Sequence, residues 1–174
     1  MAYHHLAVAT RDITAIDAFY TVAMGFDLVK VSVGKTPEEG WAKHFFYDTG
    51  GGQLMAFWEI HDDTIGTDFE TGLSRAAGLP DWVNHIAFAA ADLNDIAKRK
   101  QRLLDHGHDV VEIDHGWCVS IYAVDPNGTL VEFCTTTAAF SEADRELARK
   151  ALRQDDLEFE EPVSVQVHKA GATP

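Results

Sequence analysis

The feature that most constrains the fold is an internal repeat whose two copies each begin with a histidine. HHLAVATRDI near the N-terminus and NHIAFAAADL in the second half carry a histidine and, at the same interval, an aspartate: His5 to Asp12 and His85 to Asp92. Such self-similarity indicates one supersecondary unit used twice. Because side chains alternate between the faces of a strand, each histidine shares its face with alanines, and larger apolar residues lie opposite. The pattern predicts a cavity with a histidine in each half.

The segments that follow each opening occur in the same order. The first half predicts a strand over 3–10, a helix over 12–24 and strands over 26–33, 41–48 and 53–59. The second half predicts a strand over 81–90, a helix over 93–105 and strands over 108–113, 118–124 and 129–135, the last two joined by the turn DPNG. We therefore expect an α+β fold of two βαβββ modules.

These elements divide the chain into a first module (1–59), a connecting segment (60–80), a second module (81–137) and a C-terminal region (138–174). The connecting segment is long and polar, and such loops inside compact domains tend to be lids. Ser141 is a suitable N-cap for a helix over about 142–153. The tail from Asp155 is acidic and then carries Pro162, Gly171 and Pro174, which predicts a peripheral or partly disordered arm.

Composition limits the class of partner. The chain has 174 residues, of which 46% are apolar, so it can bury a substantial interior. It carries 14 basic and 28 acidic residues, a net charge of -14, which disfavours nucleic acid and anionic membrane surfaces as partners. Cys118 and Cys134 lie in predicted buried strands of a sequence with no secretory signal or membrane-spanning run, which predicts reduced thiols in a cytoplasmic protein.

Glu132 adds a third chemical group to the two histidines. In the predicted strand TLVEF it shares a face with Leu130 and Cys134, and an acid inside an apolar strand is costly unless it is paired or bound to a metal. Taken singly, His5, His85 and Glu132 are each compatible with an ordinary structural role. The repeat favours the alternative, in which two imidazoles and one carboxylate hold a divalent first-row metal with positions open for substrate.

Four features of the chain belong together over about residues 3–137. They are the repeated order of elements, the openings HHLAVATRD and NHIAFAAAD, the phrase AFYTVAMGFDLV and the ending SIYAVDPNGTLVEF. In this combination they resemble the vicinal oxygen chelate superfamily. That superfamily includes glyoxalase I, extradiol catechol dioxygenases, methylmalonyl-CoA epimerase, and fosfomycin and bleomycin resistance proteins. The resemblance implies that the sheets of two modules curl around a shared metal cavity. It also implies that His5, His85 and Glu132 are the metal ligands, and that the protein is a homodimer.

One position departs from part of the superfamily. Aligning QLMAF with TLVEF places Ala56 opposite Glu132, where glyoxalases and epimerases typically carry Glu or Gln. The resulting three-ligand site resembles that of extradiol dioxygenases, which use Fe(II) to hold a catecholate and O2 side by side. We therefore expect an extradiol-type dioxygenase, with Fe(II) favoured over Mn, Zn, Ni or Co.

Three residues are candidates for catalysis. Tyr122 precedes Glu132 at the spacing where extradiol enzymes carry a tyrosine that contacts the bound phenolate. The catalytic histidine of those enzymes has no counterpart here. His44 and His115 are candidates to replace it as acid or base, since imidazole titrates near neutrality.

Two other functions remain open. A glyoxalase- or epimerase-like isomerase or lyase would move a proton next to a metal-polarised carbonyl, with Glu132 or a water as base. Its thioester or glutathione substrates favour basic clusters, and few basic residues lie near the predicted site. A drug-binding resistance protein is the third hypothesis, although such modules generally lack the three ligands. The sequence also leaves open whether the cavity forms within one chain or between neighbouring chains.

Overall fold

The computed structural model describes residues 3–154 and 159–171 and contains the repeated order of elements. The first module consists of β1 (His5–Thr10), α1 (Ile13–Asp17), a π-helical segment (Ala18–Ala23), β2 (Asp27–Lys35), β3 (Trp41–Gly50) and β4 (Gln53–His61). The second consists of β5 (His85–Ala89), α3 (Leu93–Asp105), β6 (Val110–Asp114), β7 (Cys118–Val124) and β8 (Leu130–Thr136). The elements outside the modules are α2 (Leu73–Ala76), α4 (Glu142–Ala151) and β9 (Ser164–His168).

These elements form a four-stranded sheet of order β1-β4-β3-β2 and a five-stranded sheet of order β5-β8-β7-β6-β9, which confirms the α+β class and the repeated modules. In the part of the chain that the structure describes, no helix combines the length and apolar character needed to cross a membrane.

The helical region of the first module is not one regular helix over 12–24. The Asp12 carboxylate caps α1 by accepting a hydrogen bond from the backbone N–H of Ala15 at 2.9 Å. After Asp17 the backbone widens into a π-helix, whose last turn closes where the N–H of Met24 donates to the carbonyl of Phe19. The apolar spacing predicts the buried side but cannot distinguish the two helix types, because both keep Phe19 on that side.

The strand register reproduces the sequence repeat. β1 runs parallel to β4 with His5 opposite Leu54, and β5 runs parallel to β8 with His85 opposite Leu130. Two residues further along, Ala7 pairs with Ala56 and Ala87 with Glu132. Ala56 and Glu132 are therefore structurally equivalent, as the alignment of QLMAF with TLVEF predicts.

The C-terminal tail contributes a strand that the sequence analysis does not predict. β9 pairs antiparallel with β6 and becomes the edge of the second sheet. The His168 ring and the Lys100 ammonium both contact the Glu112 carboxylate, at 2.8 and 2.7 Å, which fixes the end of β9. The acidic residues 155–158 at the start of the tail lie outside the described residues.

The two modules share one hydrophobic core on the helical side of both sheets. Phe26 joins them, since its ring centroid lies 5.0 Å from that of Phe88 and 5.9 Å from that of Phe133. The strand residues of this core alternate with the predicted site residues and so face away from them. They include Tyr47, Met55, Phe57, Ile86, Phe88, Ile121, Val131 and Phe133. The opposite faces, which carry His5 in the first sheet and His85 with Glu132 in the second, are called the first and second inner faces below.

The connecting segment is anchored over its second part. The Thr71 hydroxyl and the Arg75 guanidinium donate to the carbonyl of Asn127, and the N–H of Leu73 donates to the Thr129 hydroxyl. These contacts tie residues 71–75 to the turn between β7 and β8. The predicted lid stays a prediction, and these anchors limit it to the residues before Thr71.

The DPNG turn links the modules through buried polar contacts. The Tyr20 hydroxyl donates to Asp125 Oδ2 at 3.1 Å, and Asn127 Nδ2 donates to the carbonyl of Ala9 at 3.1 Å. Asp125 is only 4% exposed. Burial raises its pKa to about 6, against the opposing effect of the hydrogen bonds that it accepts from Thr129 and Tyr20.

This buried carboxyl predicts a pH dependence of stability. Its folded pKa of about 6 exceeds the ordinary 3.8, so the folded state binds this proton more tightly than the unfolded chain does. The resulting stabilisation is complete below pH 3.8 and is lost as the pH rises through about 6. In Asp125→Asn the amide stays neutral and can still accept from Thr129. We expect the variant to gain up to about 3 kcal/mol relative to wild type between pH 4 and pH 7. Urea unfolding of both proteins across this range measures the difference, and parallel pH profiles would contradict the prediction.

Candidate metal centre

The strongest part of the candidate site is a histidine and a glutamate on adjacent strands. His85 projects from β5 and Glu132 from β8, and His85 Nε2 lies 3.1 Å from Glu132 Oε2. Two donors at about 2.1 Å from a divalent first-row metal and at right angles to each other lie about 3.0 Å apart. The pair therefore has the spacing of neighbouring ligands of one ion. Glu132 is 6% exposed while the His85 side chain is open to solvent, so an ion could enter from the inner face.

Ser120 orients the glutamate and was not identified from the sequence. Its hydroxyl donates to Glu132 Oε1 at 2.5 Å, leaving Oε2 towards His85. Outer contacts of this kind hold a metal-binding carboxylate in position. The signal that would have found Ser120 is alternation: it lies two residues before Tyr122 in β7, and Tyr122 pairs with Glu132.

The two cysteines lie on the second inner face, in β7 and β8. Cys118 and Cys134 are both free thiols. Burial, together with the contact with Cys134, raises the pKa of Cys118 to about 11, so this thiol is neutral at physiological pH.

His5 lies on the first inner face. Its Nδ1 is 2.8 Å from His4 Nδ1, and its ring centroid is 5.5 Å from that of Phe46. His4 lies just before β1, where the alternation of the strand does not fix its direction, and its ring reaches His5. Since Nδ1 is engaged, Nε2 is the atom of His5 that remains to bind a metal.

The three predicted ligands do not meet in one chain. Within residues 3–154 and 159–171, no three side chains of His, Cys, Asp or Glu are placed to hold a metal ion together. The expected convergence of His5 with His85 and Glu132 is therefore absent from the single chain. The physical reason is that the shared core joins the modules through their helical sides, so the inner faces do not close on each other.

His44 stands beside His5 on the first inner face, as the alternation along β3 predicts. It is 8% exposed, its ring lies 5.9 Å from that of His5, and it stacks on Trp58 at 3.7 Å with the planes 14° apart. Burial lowers the pKa of His44, and the neighbouring His5 lowers it further, so the imidazole is neutral at neutral pH. Its Nε2 is buried without a hydrogen-bond partner among the described residues.

Tyr122 and His115 are in contact on the second inner face. The Tyr122 hydroxyl lies 3.2 Å from His115 Nε2, and its ring lies 6.3 Å from that of His85. Burial raises the pKa of Tyr122 to about 12, and the Glu132 charge also raises it, while the hydrogen bond to Ser120 acts in the opposite direction. The phenol is therefore protonated at neutral pH.

Comparison with known proteins relates the chain to one superfamily. The family model for the Glyoxalase/Bleomycin resistance protein/Dioxygenase superfamily matches residues 2–133. No curated protein sequence matches the chain significantly.

Solved structures with the same fold have low sequence identity to the chain. A glyoxylase/bleomycin resistance protein/dioxygenase domain from Frankia sp. EAN1pec is 15% identical with a TM-score of 0.59, covering 78% of this chain and 98% of that one. The fosfomycin resistance protein FosX from Listeria monocytogenes is 19% identical with a TM-score of 0.55, covering 79% and 94%. The antibiotic binding protein TnmS3 from Streptomyces sp. CB03234 is 14% identical with a TM-score of 0.53, covering 79% and 97%. At these identities the similarity shows the fold alone.

Proposed function

The chain belongs to the glyoxalase/bleomycin resistance protein/dioxygenase superfamily, and on that premise we propose that it is a divalent-metal-dependent enzyme whose small substrate chelates the metal through two vicinal oxygens. The observation that carries the proposal is the contact between His85 and Glu132. A nearly buried carboxylate is costly to maintain, and here its free oxygen faces an imidazole nitrogen at the spacing of two metal ligands.

For the reaction, we propose an extradiol-type dioxygenase with Fe(II) as the favoured metal. Support comes from position 56, where a buried alanine replaces a fourth side-chain ligand and leaves more of the coordination sphere to substrate. His5, His85 and Glu132 would hold the ion, and when bound it would supply the Lewis-acid and redox chemistry that makes a catechol react with O2.

The other inner-face residues supply proton transfer and positioning. The protonated Tyr122 hydroxyl donates a hydrogen bond to a substrate oxygen, and His115 at 3.2 Å orients this hydroxyl and exchanges a proton with it. His44 is neutral, and its Nε2 has no hydrogen-bond partner in the described part of the chain, which suits a general base.

That property of His44 also favours the second candidate function, an isomerase or lyase of the glyoxalase or epimerase type. Proton transfer next to a polarised carbonyl needs a neutral base near the metal. The ring centroid of His44 lies 5.9 Å from that of His5, a proposed metal ligand. The bound metal separates the two candidates, because oxygen chemistry requires a redox-active ion. A drug-binding role, which is what the name of TnmS3 describes for that protein, would make no use of the pair formed by His85 and Glu132.

We propose further that the site is completed in a homodimer. His85 and Glu132 would be joined by His5 of the partner subunit. Support comes from the shared core, which uses the opposite side of both sheets, while His5 and His85 are exposed in the described part of the chain. A second copy related by twofold symmetry would bring each first inner face against a second inner face.

The experiment that tests the proposed reaction measures metal content and oxygen uptake together. Protein purified anaerobically without added metal is analysed by mass spectrometry beside His85→Ala, and oxygen consumption is then followed with catechol. Near-stoichiometric iron that is absent from the variant, with catechol-dependent uptake, is the expected result. Zinc, nickel, cobalt or manganese at the same site, without catechol-dependent oxygen uptake, would favour the isomerase or lyase over the dioxygenase. If the wild type holds no metal even after reconstitution, the proposal that the protein is a metal-dependent enzyme is contradicted.

A further inference from the structure

The C-terminal helix borders an apolar groove that the proposed metal site does not use. The groove has a volume of about 530 Å³ and lies between one side of α4 and the residues that precede β7 and follow β8. Trp117 and Phe140 line one wall, with ring centroids 5.2 Å apart, and Leu147, Ala148 and Ala151 of α4 line the other. None of these residues is a proposed metal ligand or catalytic residue, so the groove is a separate feature of the molecule.

The groove leaves large apolar side chains in water. Phe140 is 53% exposed and Leu147 is 64% exposed. All ten residues of α4 are exposed in the described part of the chain. A helix of this length is marginal in water by itself, because most helical stability comes from the packing of an apolar face. Contiguous exposed apolar side chains on a folded protein also mark interaction sites. The apolar side of α4 therefore lacks the cover that its stability requires.

The charges of α4 and its last turn are ordered about Leu147. Apart from Arg145, the acidic side chains precede Leu147 and the basic side chains follow it. The acidic residues are Glu142, Asp144 and Glu146, and the basic residues are Arg149, Lys150 and Arg153. Within the helix, Glu142 pairs with Arg145 at 3.4 Å and with Arg149 at 2.7 Å. Exposed pairs of this kind contribute about 0–1 kcal/mol, so they can be exchanged for pairs with a partner at little cost.

This order of charges selects a second copy of α4 as the molecule that covers the groove. When two such helices pack antiparallel about an axis at Leu147, the acidic half of each lies beside the basic half of the other. A parallel pair would place like charges side by side. The antiparallel contact is isologous, since each copy offers the same surface to the other. The net charge of -14 disfavours an anionic membrane surface as the alternative.

We propose that the groove is a homotypic interface, in which α4 of a second copy of this chain packs antiparallel against α4 with Leu147 at the twofold axis. Leu147 of the partner subunit would enter the groove and cover Trp117 and Phe140. The interface lies outside both inner faces, so it goes beyond the proposed function and does not depend on it.

Disulfide cross-linking of cysteine variants of the full chain tests the register of this pair. In an antiparallel pair, the two copies of a residue separate along the helix axis by about 3 Å for each position from the twofold axis. Leu147→Cys therefore brings two thiols within the Cα separation of about 4.4–6.8 Å that a disulfide requires. The two copies of Leu152→Cys lie about 15 Å apart. Diamide oxidises two thiols to a disulfide by taking up their two electrons and two protons. We expect most of the Leu147→Cys chain to run as a covalent dimer on a non-reducing gel, with Leu152→Cys and wild type remaining single chains.

Charge reversal in the Leu147→Cys chain supplies the matched controls. One variant adds Arg149→Glu and Lys150→Glu, which makes both halves of α4 acidic. The other adds Glu142→Lys and Glu146→Lys, which makes most of α4 basic. Each variant alone is expected to cross-link about fivefold less than Leu147→Cys at low salt, because like charges then lie side by side. An equimolar mixture of the two is expected to regain the lost cross-linking as a mixed dimer, which its mass identifies.

All of the substituted side chains are exposed, so each variant is expected to fold, and circular dichroism verifies this. Three outcomes would overturn the proposal. Equal cross-linking of Leu147→Cys and Leu152→Cys would indicate a parallel pair. Cross-linking of Leu147→Cys at the wild-type level would indicate that the groove stays empty or takes a different protein. Cross-linking that is unchanged in both charge-reversed variants would show that the charges do not align the helices.

Discussion

Replacing Glu132 by alanine is expected to abolish tight metal binding and to leave the fold largely intact, and replacing His85 by alanine is expected to do the same. Each change removes one donor of the pair that lies 3.1 Å apart. We expect the metal dissociation constant to rise more than about 100-fold, beyond the 10–100-fold typical of outer contacts. The fold tolerates Glu132→Ala because removing an ionised group from a largely dry position also removes its desolvation penalty, and the free energy of unfolding changes by less than about 2 kcal/mol.

Competition with a fluorescent chelator measures the affinity, and thermal unfolding followed by circular dichroism reports the fold. Two variants calibrate the result. Ser120→Ala keeps both ligands and removes only the hydrogen bond to Glu132, so a loss of about 10–100-fold is expected. His61→Ala removes an exposed histidine that stacks on Trp41 and should leave the affinity unchanged. If folded Glu132→Ala or His85→Ala binds metal with wild-type affinity, the proposed function is contradicted.

Mixing two inactive variants is expected to restore metal binding, because the proposed site draws its ligands from two subunits. His5→Ala lacks the ligand of the first inner face, and Glu132→Ala lacks one of the second. In a mixed dimer one site loses both residues and the other is native. With random association about one quarter of all sites are restored, from near zero in each variant alone.

The control for this experiment is a mixture of His85→Ala with Glu132→Ala. These two residues lie on adjacent strands of one sheet, so every site in their mixed dimer lacks one ligand, and no binding should return. Co-expression with two different affinity tags isolates the mixed dimer, and its metal content is measured directly. A purified mixed dimer of His5→Ala and Glu132→Ala that holds no metal would contradict the shared site, as would a wild type that is monomeric with metal bound.

Local patterns account for what could be predicted from the sequence. Alternation in β1, β5 and β8 predicts which side of each strand holds His5, His85 and Glu132, and the strand register agrees. The bounds of α3 and β7 also match, because an N-cap aspartate, a glycine stop and the DPNG turn mark them directly. The spacing of apolar residues and the capping residues of an element act over a few neighbouring positions, so a single stretch of sequence shows them.

Contacts between distant stretches account for what could not be predicted. The strand Ser164–His168 is short and exposed, and it forms because the edge of β6 offers unpaired backbone groups that nothing in the tail itself reveals. The separation of His5 from His85 has the same origin. The apolar pattern predicts that each sheet has a buried face, but whether the two sheets meet through their buried or their inner faces is decided by the packing of Phe26 against Phe88 and Phe133.

Because core residues and inner-face residues alternate along the same strands, this protein separates stability from specificity at the level of single positions. In β4 the core residue Phe57 is followed at once by Trp58, and in β7 Ile121 is followed by Tyr122. Substituting the second residue of either pair changes an inner face, where the proposed site lies, and leaves the shared core untouched. Changes at these positions are therefore expected to cost little of the stability that a redesigned site usually loses, which makes the inner faces a suitable target for directed evolution.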